Sequence, residues 1–317
     1  MSGTGKKGKY AFLLGLSLLL AGTARLSADQ RLPVIDAHSQ LEHEIAPEQI
    51  IRLMDQAGVS RTILAARRKT TIKDMIMLAR KYPDRITAAV RIKGAAYQDK
   101  PVGAFRKFLG RQTMHPEFAA MAEVLMYHAR KTDKKGRTIA PEVAFPPGSD
   151  KPEAALEVAL SRGWPFIIHI EFASLGARRA KYMSKMEAML RAHPRHPFLL
   201  IHMGQLGPAQ VERLLAAHLN LYFIPAHTTP VTISESHEPW TPMFDGGILS
   251  APWRKLILRH PDRFVLGFDN VWARQWNELY VPQVRLWRRA LGAMPDAVAH
   301  AVAHRNAERL WHLPPAQ

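Results

Sequence analysis

Four imidazole or carboxylate side chains interrupt short apolar runs of the sequence: His38, His169, His202 and Asp269. A single histidine in an apolar run is usually a hydrogen-bonded core residue, because burying a polar group without a partner is costly. Four such positions are harder to explain in that way, and one bound ion would satisfy them together. Imidazole and carboxylate ligands suit zinc or a similar first-row divalent ion. The sequence therefore predicts a metal centre, with a salt-bridged polar cluster as the alternative.

A divalent ion at these positions would support hydrolysis of a carbonyl compound. A bound ion brings the pKa of a water molecule towards neutrality. A nearby carboxylate can accept a proton as the water attacks the carbonyl carbon. The metal or a histidine can stabilise the negative charge that develops on oxygen. The residue types alone thus predict a metal-dependent enzyme.

Further polar side chains near the same positions are candidate substrate-binding residues: Glu123, Glu171, His227 and Asn270. Glu123 lies within an apolar run and needs a partner. It is either an added metal ligand or one half of an ion pair with Arg91 or Lys93, and we favour the ion pair.

Two of these candidates have plainer alternatives. Glu171 stands two residues after His169, so the two side chains share one side of a strand. A solvated strand end explains Glu171 equally well. His227 follows a predicted strand in a Pro-Ala-His-Thr sequence, where a surface loop is the favoured interpretation.

The elements that must position these residues form one repeating pattern. Short apolar runs at 34–36, 61–66, 86–92, 119–127, 165–172, 197–203, 221–224 and 263–269 predict strands. Amphipathic stretches at 47–58, 72–82, 102–109, 153–162, 183–193, 208–218, 276–291 and 295–310 predict helices. Strands that are apolar on both faces and alternate with helices are typical of a parallel α/β sheet. Eight units favour a single closed (β/α)₈ TIM barrel over residues 29–317, with its catalytic groups at the carboxyl ends of the strands.

The long stretch between the seventh and eighth predicted strands, residues 228–252, is rich in proline, glycine and aromatic residues. Loops in this position often act as lids or determine specificity. Trp240, Trp253 and Trp272 either line an apolar pocket or pack the loops. The methionines at helical spacing, Met183, Met186 and Met189, are predicted core residues.

The order of these motifs resembles the amidohydrolase superfamily, in particular the amidohydrolase-related branch that includes decarboxylases and lactonases. That family has a His-x-His on the first strand, a histidine after the fifth, a histidine after the sixth and an aspartate after the eighth. The matching positions here are His38-x-Gln40, His169, His202 and Asp269. The sequence at 306–310 also resembles the closing helix of that branch, and the resemblance spans residues 33–312.

The resemblance implies a role for each matched residue. His38, His169 and Asp269 would bind one divalent ion, and Asp269 would also take a proton from its water. His202 would orient or polarise the substrate, or act as an acid or base. Gln40 stands where the family usually has histidine, and its neutral carbonyl oxygen is a weaker zinc ligand than imidazole. Gln40 would therefore be a weak fourth ligand or a substrate contact.

The N-terminus predicts export. Lys6, Lys7 and Lys9 precede an apolar run at 11–22, and small residues follow, with cleavage after Ala24 or Ala28. This is the layout of a signal peptide over residues 1–28, and its apolar run at 11–22 is too short to span a bilayer comfortably. We therefore expect a periplasmic or secreted protein without stable membrane insertion, an uncleaved anchor being the alternative.

The chain has no cysteine, which excludes disulfides, thiolate ligands and a cysteine nucleophile.

The formal net charge of +17 raises the question of nucleic acid binding. The basic residues are scattered and no nucleic-acid motif accompanies them, so a solvated basic surface that attracts anionic substrates is favoured. We expect a small-molecule substrate and no nucleic acid, and the sequence leaves a homo-oligomer open.

The predicted reaction is hydrolysis of an amide, ester or lactone. A decarboxylase of the same barrel family and a non-catalytic periplasmic binding protein are the alternatives.

Overall fold

The structure, a computed structural model, describes residues 32–132, 135–236 and 238–316. The predicted signal peptide at residues 1–28 lies outside the described residues. Parallel strands alternate with helices, and almost every strand residue is buried, as expected for strands covered on both faces. The central strands are β1 (Val34–Leu41), β2 (Val59–Ala66), β3 (Ile86–Val90), β4 (Phe118–Met121), β5 (Val124–His128), β6 (Phe166–Ile170), β7 (Phe198–Ile201) and β8 (Leu221–Ile224).

Two parallel sheets make up the barrel wall, one in the order β1-β2-β3-β4 and one in the order β5-β6-β7-β8. The single strand predicted at 119–127 is divided into β4 and β5, with Ala122 and Glu123 between them. β4 pairs with β3, whereas β5 pairs with β6. This one stretch of chain therefore joins the two sheets, and Glu123 stands at the junction.

Residues 264–270, here called the closing segment, join the other two sheet edges. On one side the backbone N–H of Val265 donates to the carbonyl of Phe223 in β8 at 3.0 Å. On the other side Ala37 of β1 donates to Leu266 at 2.9 Å, and Asp269 donates to the carbonyl of His38 at 2.7 Å. With β4 and β5 counted as one interrupted strand, the segment thus occupies the eighth position of a (β/α)₈ barrel, and the predicted fold is confirmed.

Helices cover the outside of the barrel: α1 (Pro47–Ala57), α2 (Ile72–Lys81), α3 (Val102–Thr113), α4 (Asp150–Arg162), α5 (Arg179–Ala192), α6 (Pro208–Ala217), α7 (Ala251–Arg259) and α8 (Tyr280–Gly292). A last helical stretch runs through Asp296–His300, Ala301–Arg305 and Asn306–Trp311. Proline at the first turn of α1 and a left-handed Gly58 after it account for the sharp ends of that helix. None of the helices in the described ranges is long and apolar enough to cross a membrane.

The region predicted as a loop at 228–252 is more structured than expected. It contains the short helix Pro230–Ile233 and the paired strands Phe244–Asp245 and Ile248–Leu249, and α7 begins at its end. The apolar spacing of Trp253, Leu256 and Ile257 in α7 is that of a helix face, and all three are buried. Trp253 therefore packs this region, in agreement with one of the two interpretations of the sequence.

The predicted core methionines on α5 are placed as expected. Met186 and Met189 are buried, and Met183 packs against the core from a partly buried position. A polar stretch after β5 forms the strands Lys131–Thr132, Thr138–Ala140 and Val143–Ala144, the last of which pairs antiparallel with β5. This excursion lies at the carboxyl end of β5 and so borders the barrel mouth.

Gly267 marks the closest approach of the closing segment to its neighbours. A Cβ atom there would lie 2.7 Å from Cγ2 of Ile224 and 3.2 Å from the backbone nitrogen of His38. We expect Gly267→Ala to destabilise the fold by about 1–3 kcal/mol, the usual range for overpacking, and to lower the Tm by roughly 2–6 °C. Differential scanning fluorimetry measures the change.

The matched control for this substitution is Gly110→Ala in α3. A Cβ atom at Gly110 would have no neighbouring atom within 4 Å among the described residues, so alanine there should stabilise the helix by about 0.5–1 kcal/mol. A Gly267→Ala protein as stable as Gly110→Ala would contradict tight packing of the closing segment.

Candidate metal centre

Six side chains converge at the carboxyl ends of the barrel strands: His38, Gln40, Glu123, His169, His202 and Asp269. They are here called the barrel-end cluster, and all six are buried. β1 supplies His38 and Gln40, β6 supplies His169, and His202 directly follows β7. The structure therefore brings together all the residues predicted to bind or serve a metal.

Glu123 is the most heavily contacted carboxylate of the cluster. Its Oε2 lies 2.6 Å from Nδ1 of His169, and its Oε1 lies 3.5 Å from Nε2 of His38. Lys93 forms an ion pair with Oε1 as well. Arg91, the other suggested partner, donates instead to the backbone carbonyls of Lys93 and Arg68. Glu123 thus forms the ion pair favoured for it, with Lys93, and it also faces the histidines, where it could ligate an ion.

Asp269 is the second carboxylate of the cluster. Its Oδ1 lies 3.5 Å from Nε2 of His38, and its Oδ2 lies 3.5 Å from Nε2 of His202. His227 borders the same carboxylate, with its Nε2 4.0 Å from Oδ2 and 3.2 Å from the backbone carbonyl of Asp269. His227 is mostly buried and so is not on a surface loop.

Gln40 acts here as a donor and not as an oxygen ligand. Its amide nitrogen lies 2.9 Å from Oδ1 of Asp269 and 3.3 Å from Oε1 of Glu123. The amide therefore bridges the two carboxylates with hydrogen atoms that partly offset their charge. The ligand role predicted for Gln40 would require the amide to turn its oxygen towards the ion.

Three site residues are among the seven non-glycine residues of the described ranges that have a left-handed backbone. His202, His227 and Asp269 have φ values of 56°, 56° and 45°, in the left-handed region that non-glycine residues rarely adopt. His202 directly follows β7, His227 lies in the loop after β8, and Asp269 lies near the end of the closing segment, so all three sit where the chain turns at the barrel mouth. Strained backbone of this kind persists only where the surrounding structure enforces it, and it clusters at functional sites.

The charges of the cluster follow from burial and from its pairs. Burial alone would raise the pKa of Glu123, but Lys93 and His169 hold that pKa well below its usual range. Burial would lower the pKa of His169, whereas the charge of Glu123 raises it to about 9. Burial, reinforced by neighbouring histidines, lowers the pKa of His202 well below its ordinary value. Without a bound ion, His169 is therefore charged against Glu123 and would release a proton on binding one, whereas His202 is neutral at neutral pH.

The donor set fits a divalent ion. Both ring nitrogens of His38 are buried and lack a hydrogen-bond partner among the described residues. Nδ1 of His202 lies 3.3 Å from the Ala226 carbonyl, so Nδ1 carries the hydrogen and Nε2 presents a lone pair to Asp269. Nε2 of His202 and Oδ2 of Asp269 are both acceptors and repel each other unless a proton or a cation lies between them. Ligand atoms of His38, Glu123 and Asp269, and of Glu123, His169 and His202, lie close enough together to hold an ion.

Two predicted substrate contacts have other partners, and Glu171 is the first. It accepts hydrogen bonds from Lys131 at 2.7 Å and from the backbone of Ala129 at 2.8 Å, and it lies 3.2 Å from Nε2 of His169. His169 and Lys131 help hold its pKa down at about 2, although burial opposes this. Glu171 is therefore a buried partner of His169 and not a solvated strand end.

Asn270 is not directed into the cluster. Its amide nitrogen donates to Ser39 at 3.3 Å, and its carbonyl oxygen accepts from Gln283 at 2.9 Å. The side chain is fully buried and both of its polar groups are engaged. Asn270 therefore fixes the end of the closing segment against β1 and α8, a positioning role that the sequence prediction of a substrate contact did not anticipate.

Sequence reasoning missed the residues that cover the cluster. Lys131 bridges Glu171 at 2.7 Å and Glu238 at 2.6 Å, joining the strand excursion after β5 to the loop after β8. The ring of Trp240 lies 4.8 Å from that of His202. The sequence marks Trp240 as a pocket-lining candidate, but nothing local marks Lys131, which sits in a polar stretch without periodicity.

A family model described as amidohydrolase matches residues 22–313. Because the match covers most of the chain, the chain belongs to the amidohydrolase family. The sequence resemblance is thereby confirmed, as is the prediction of an enzyme. No curated protein matches the sequence significantly.

Several solved structures share the fold. A TIM-barrel protein from Bordetella bronchiseptica has a TM-score of 0.57 and 14% identity, covering 89% of this chain and 99% of its own. The 5-carboxyvanillate decarboxylase of Sphingomonas paucimobilis has a TM-score of 0.54 and 14% identity, covering 89% and 100%. An amidohydrolase from Burkholderia multivorans, solved with bound zinc, has a TM-score of 0.53 and 14% identity, covering 89% and 99%. At these identities the likeness extends to the fold alone.

Proposed function

We propose that this enzyme is a hydrolase that uses one divalent ion, most suitably zinc, to cleave an amide, ester or lactone bond of a small molecule. The observation that carries the proposal is the barrel-end cluster, in which neither nitrogen of the buried His38 makes a hydrogen bond among the described residues while Nε2 faces Glu123 and Asp269 at 3.5 Å. His38, His169 and Asp269 would hold the ion, with Glu123 as an additional carboxylate ligand. When bound, the ion would acidify a water molecule and polarise the carbonyl group of the substrate.

The protein's own groups would move the protons. Asp269 presents Oδ2 next to His202 and is the carboxylate placed to accept a proton from attacking water. The lone pair on Nε2 of neutral His202 can take that proton onwards and return it to the leaving group. The Ala226 carbonyl fixes the tautomer that makes this possible.

The loop after β8 would exclude water during the reaction. Trp240 packs against His202 and His227, with ring centroids 4.8 and 5.2 Å apart. The Lys131–Glu238 ion pair ties that loop to the strand excursion after β5. We propose that these contacts form a cover over the site, the role expected of the loop from its position in the sequence.

We also propose that the protein is exported to the periplasm or secreted. The basic residues and the apolar run of residues 1–28 support this assignment. The mass of the mature chain, recovered from cells and from the periplasmic fraction, tests it. A chain that keeps residues 1–28 and stays in the cytoplasm would overturn the assignment.

The metal content of the purified protein tests the proposed centre. We expect about one equivalent of a divalent ion per chain, and His38→Ala should lose most of it because the imidazole between Glu123 and Asp269 is removed from the ligand set. Elemental analysis by mass spectrometry measures the ratio. His218→Asn, a change at a buried histidine that pairs with Glu187 beyond the end of α6, is the matched control. Equal metal in His38→Ala and the control would refute the centre.

Gln40→His is expected to tighten zinc binding at least about tenfold, because imidazole is a stronger zinc ligand than a neutral amide oxygen. Competition with a fluorescent zinc indicator measures the affinity. Gln49→His, on α1 outside the barrel-end cluster, should leave it unchanged. Weaker zinc binding in Gln40→His would show that the bridging amide contributes more to the site than an added ligand does.

A decarboxylase is the second candidate function, because the same cluster could polarise a carboxylate substrate and return a proton to carbon. The positively charged cavity described below favours it, since a substrate must be an acid to lose carbon dioxide. Carbon dioxide release from a substrate found by screening aromatic acids, in stoichiometric amounts, would replace hydrolysis as the assigned reaction. Release of an alcohol or amine from an ester or amide would confirm hydrolysis.

A further inference from the structure

A cavity of about 250 Å³ lies beside the barrel-end cluster, at the carboxyl ends of β2, β3 and β5. Its polar wall contains four cationic side chains: Arg67, Arg68, Arg91 and Lys93. It is here called the cationic cavity. A larger cavity of about 580 Å³ lies near the amino-terminal ends of β1 and β2, at the opposite end of the barrel from the cluster. Of these two cavities, the cationic cavity is therefore the one that adjoins the candidate chemistry.

The cationic cavity carries an excess of positive charge. Arg67 and Arg68 share one buried carboxylate, Glu42, with both contacts at 2.9 Å. The guanidinium of Arg91 donates to backbone carbonyls, and within the described residues no carboxylate pairs with it. No aspartate or glutamate among the described residues lines the cavity. Positive charge in a partly enclosed site attracts anions, and arginine suits carboxylates because its planar fork binds two oxygens at once.

The rest of the cavity wall is largely apolar or aromatic. The guanidinium carbons of Arg67 and Arg68 lie 3.9 and 4.5 Å from the ring centroid of Trp272. Ile139 and Val143, from the strands after β5, also line the space. Because both guanidinium groups stack on the indole, the apolar surface left for a ligand comes mainly from Leu125, Ile139 and Val143, as in most small-molecule sites.

The cavity is connected to the cluster through two residues. Lys93 lines the cavity and also pairs with Glu123. His128 lines it as well, and its ring centroid lies 5.4 Å from that of His169. No residue of the barrel-end cluster lines the cavity itself, and Lys93 and His128 form the wall that the two share. A molecule held by Arg68 and Arg91 would therefore lie directly beside Glu123 and His169.

We infer that the cationic cavity is the substrate-recognition site and that the substrate is an organic carboxylic acid with a flat apolar body. The inference rests on the proposed function, because it places the reacting bond at the barrel-end cluster. Arg68 and Arg91 bind the carboxylate, and Ile139 and Val143 contact the body of the molecule. Such recognition excludes neutral esters and amides that lack an acid group.

Binding of benzoate to the metal-loaded protein, measured by isothermal titration calorimetry at fixed ionic strength, tests the inference. Wild-type protein should bind benzoate at least about tenfold more tightly than benzamide, its neutral analogue. Arg68→Gln and Arg91→Gln should each weaken benzoate binding about fivefold or more, whereas Arg289→Gln, on the exposed face of α8, should not. Arg68 is half-exposed, so its replacement leaves the fold intact even if Arg91→Gln proves unstable.

Three results with benzoate and one with phenyl phosphate would contradict the inference. Equal affinity for benzamide, unchanged affinity in both arginine variants, or no benzoate binding at millimolar concentration would each overturn the inference. Binding of phenyl phosphate without binding of benzoate would overturn the carboxylate assignment in favour of a phosphate.

His38→Ala separates this inference from the proposed function. That variant should lose metal and still bind benzoate, because His38 does not line the cationic cavity. If benzoate binding is lost in His38→Ala but kept in the arginine variants, the anion binds at the cluster and the cavity inference fails. If the wild type holds no metal yet binds benzoate through the arginines, only the hydrolase proposal fails.

Discussion

Asp269→Asn is expected to lower turnover by about 10²- to 10⁴-fold, the usual contribution of a positioned acid or base. Asparagine keeps the size of the side chain and still accepts the hydrogen bond from Gln40, but it cannot take up a proton. It also tolerates the left-handed backbone at this position, where φ is 45°. The fold should therefore survive a change that removes the chemistry. Steady-state kinetics on the substrate found by screening measures the loss.

Two controls isolate the carboxylate. Asp262→Asn, at an exposed position before the closing segment, should leave turnover unchanged. Asp269→Ala should lose activity and also some stability, because a left-handed conformation is less favourable for alanine by about 1–2 kcal/mol. An Asp269→Asn enzyme that keeps its metal and full turnover would show that Asp269 neither accepts a proton nor balances charge in the reaction.

The parts of the fold that follow local rules could be predicted from the sequence. The strand 221–224 has the predicted bounds, and α1 ends at Gly58 as its glycine signal indicates. The ends of strands carry the site residues because parallel strands present their carboxyl ends at one rim of the barrel. His38, His169, His202 and Asp269 could therefore be placed together without a structure.

What the sequence could not predict depends on contacts between distant residues. Lys131 and Glu238 are 107 residues apart, and Gln40 and Asp269 are 229 apart, so no local pattern links them. In the sequence, the stretch that contains β4 and β5 is one apolar run and predicts one strand. It is divided because β4 pairs with β3 whereas β5 pairs with β6, and the sequence does not show which strands pair. The closing segment pairs with β8 and β1 through a few irregular backbone hydrogen bonds. Its place in the barrel therefore depends on the positions of those two distant strands, which the sequence does not show.

The cationic cavity could not be predicted from the sequence for the same reason, because its residues come from separate stretches of the chain. Arg67, Arg68, Arg91 and Lys93 belong to two short stretches after β2 and β3, which look in the sequence like scattered basic residues. Composition alone therefore favours a solvated basic surface as the interpretation of the net charge. Folding places these stretches side by side at the barrel mouth, and a local excess of charge emerges that overall composition does not reveal.

Glu123→Gln is expected to destabilise the metal-free protein by about 3–5 kcal/mol, the range for removing one partner of a buried ion pair. Glu123 is fully buried and is the counter-charge of both Lys93 and His169, which would remain without it. For a chain of this size the Tm should fall by roughly 6–10 °C. Thermal unfolding in the presence of a chelator measures the effect without the contribution of a bound ion.

The size of this effect comes from burial, and two variants test that reason. Glu142→Gln breaks the exposed ion pair with Arg178 and should change stability by less than about 1 kcal/mol. The double variant Lys93→Met with Glu123→Gln should recover part of the loss, because removing both charges leaves neither one unpaired. If Glu123→Gln alone is as stable as the wild type, Lys93 and His169 do not depend on Glu123 for their charge. The carboxylate would then be available to an ion without any change in the protein around it.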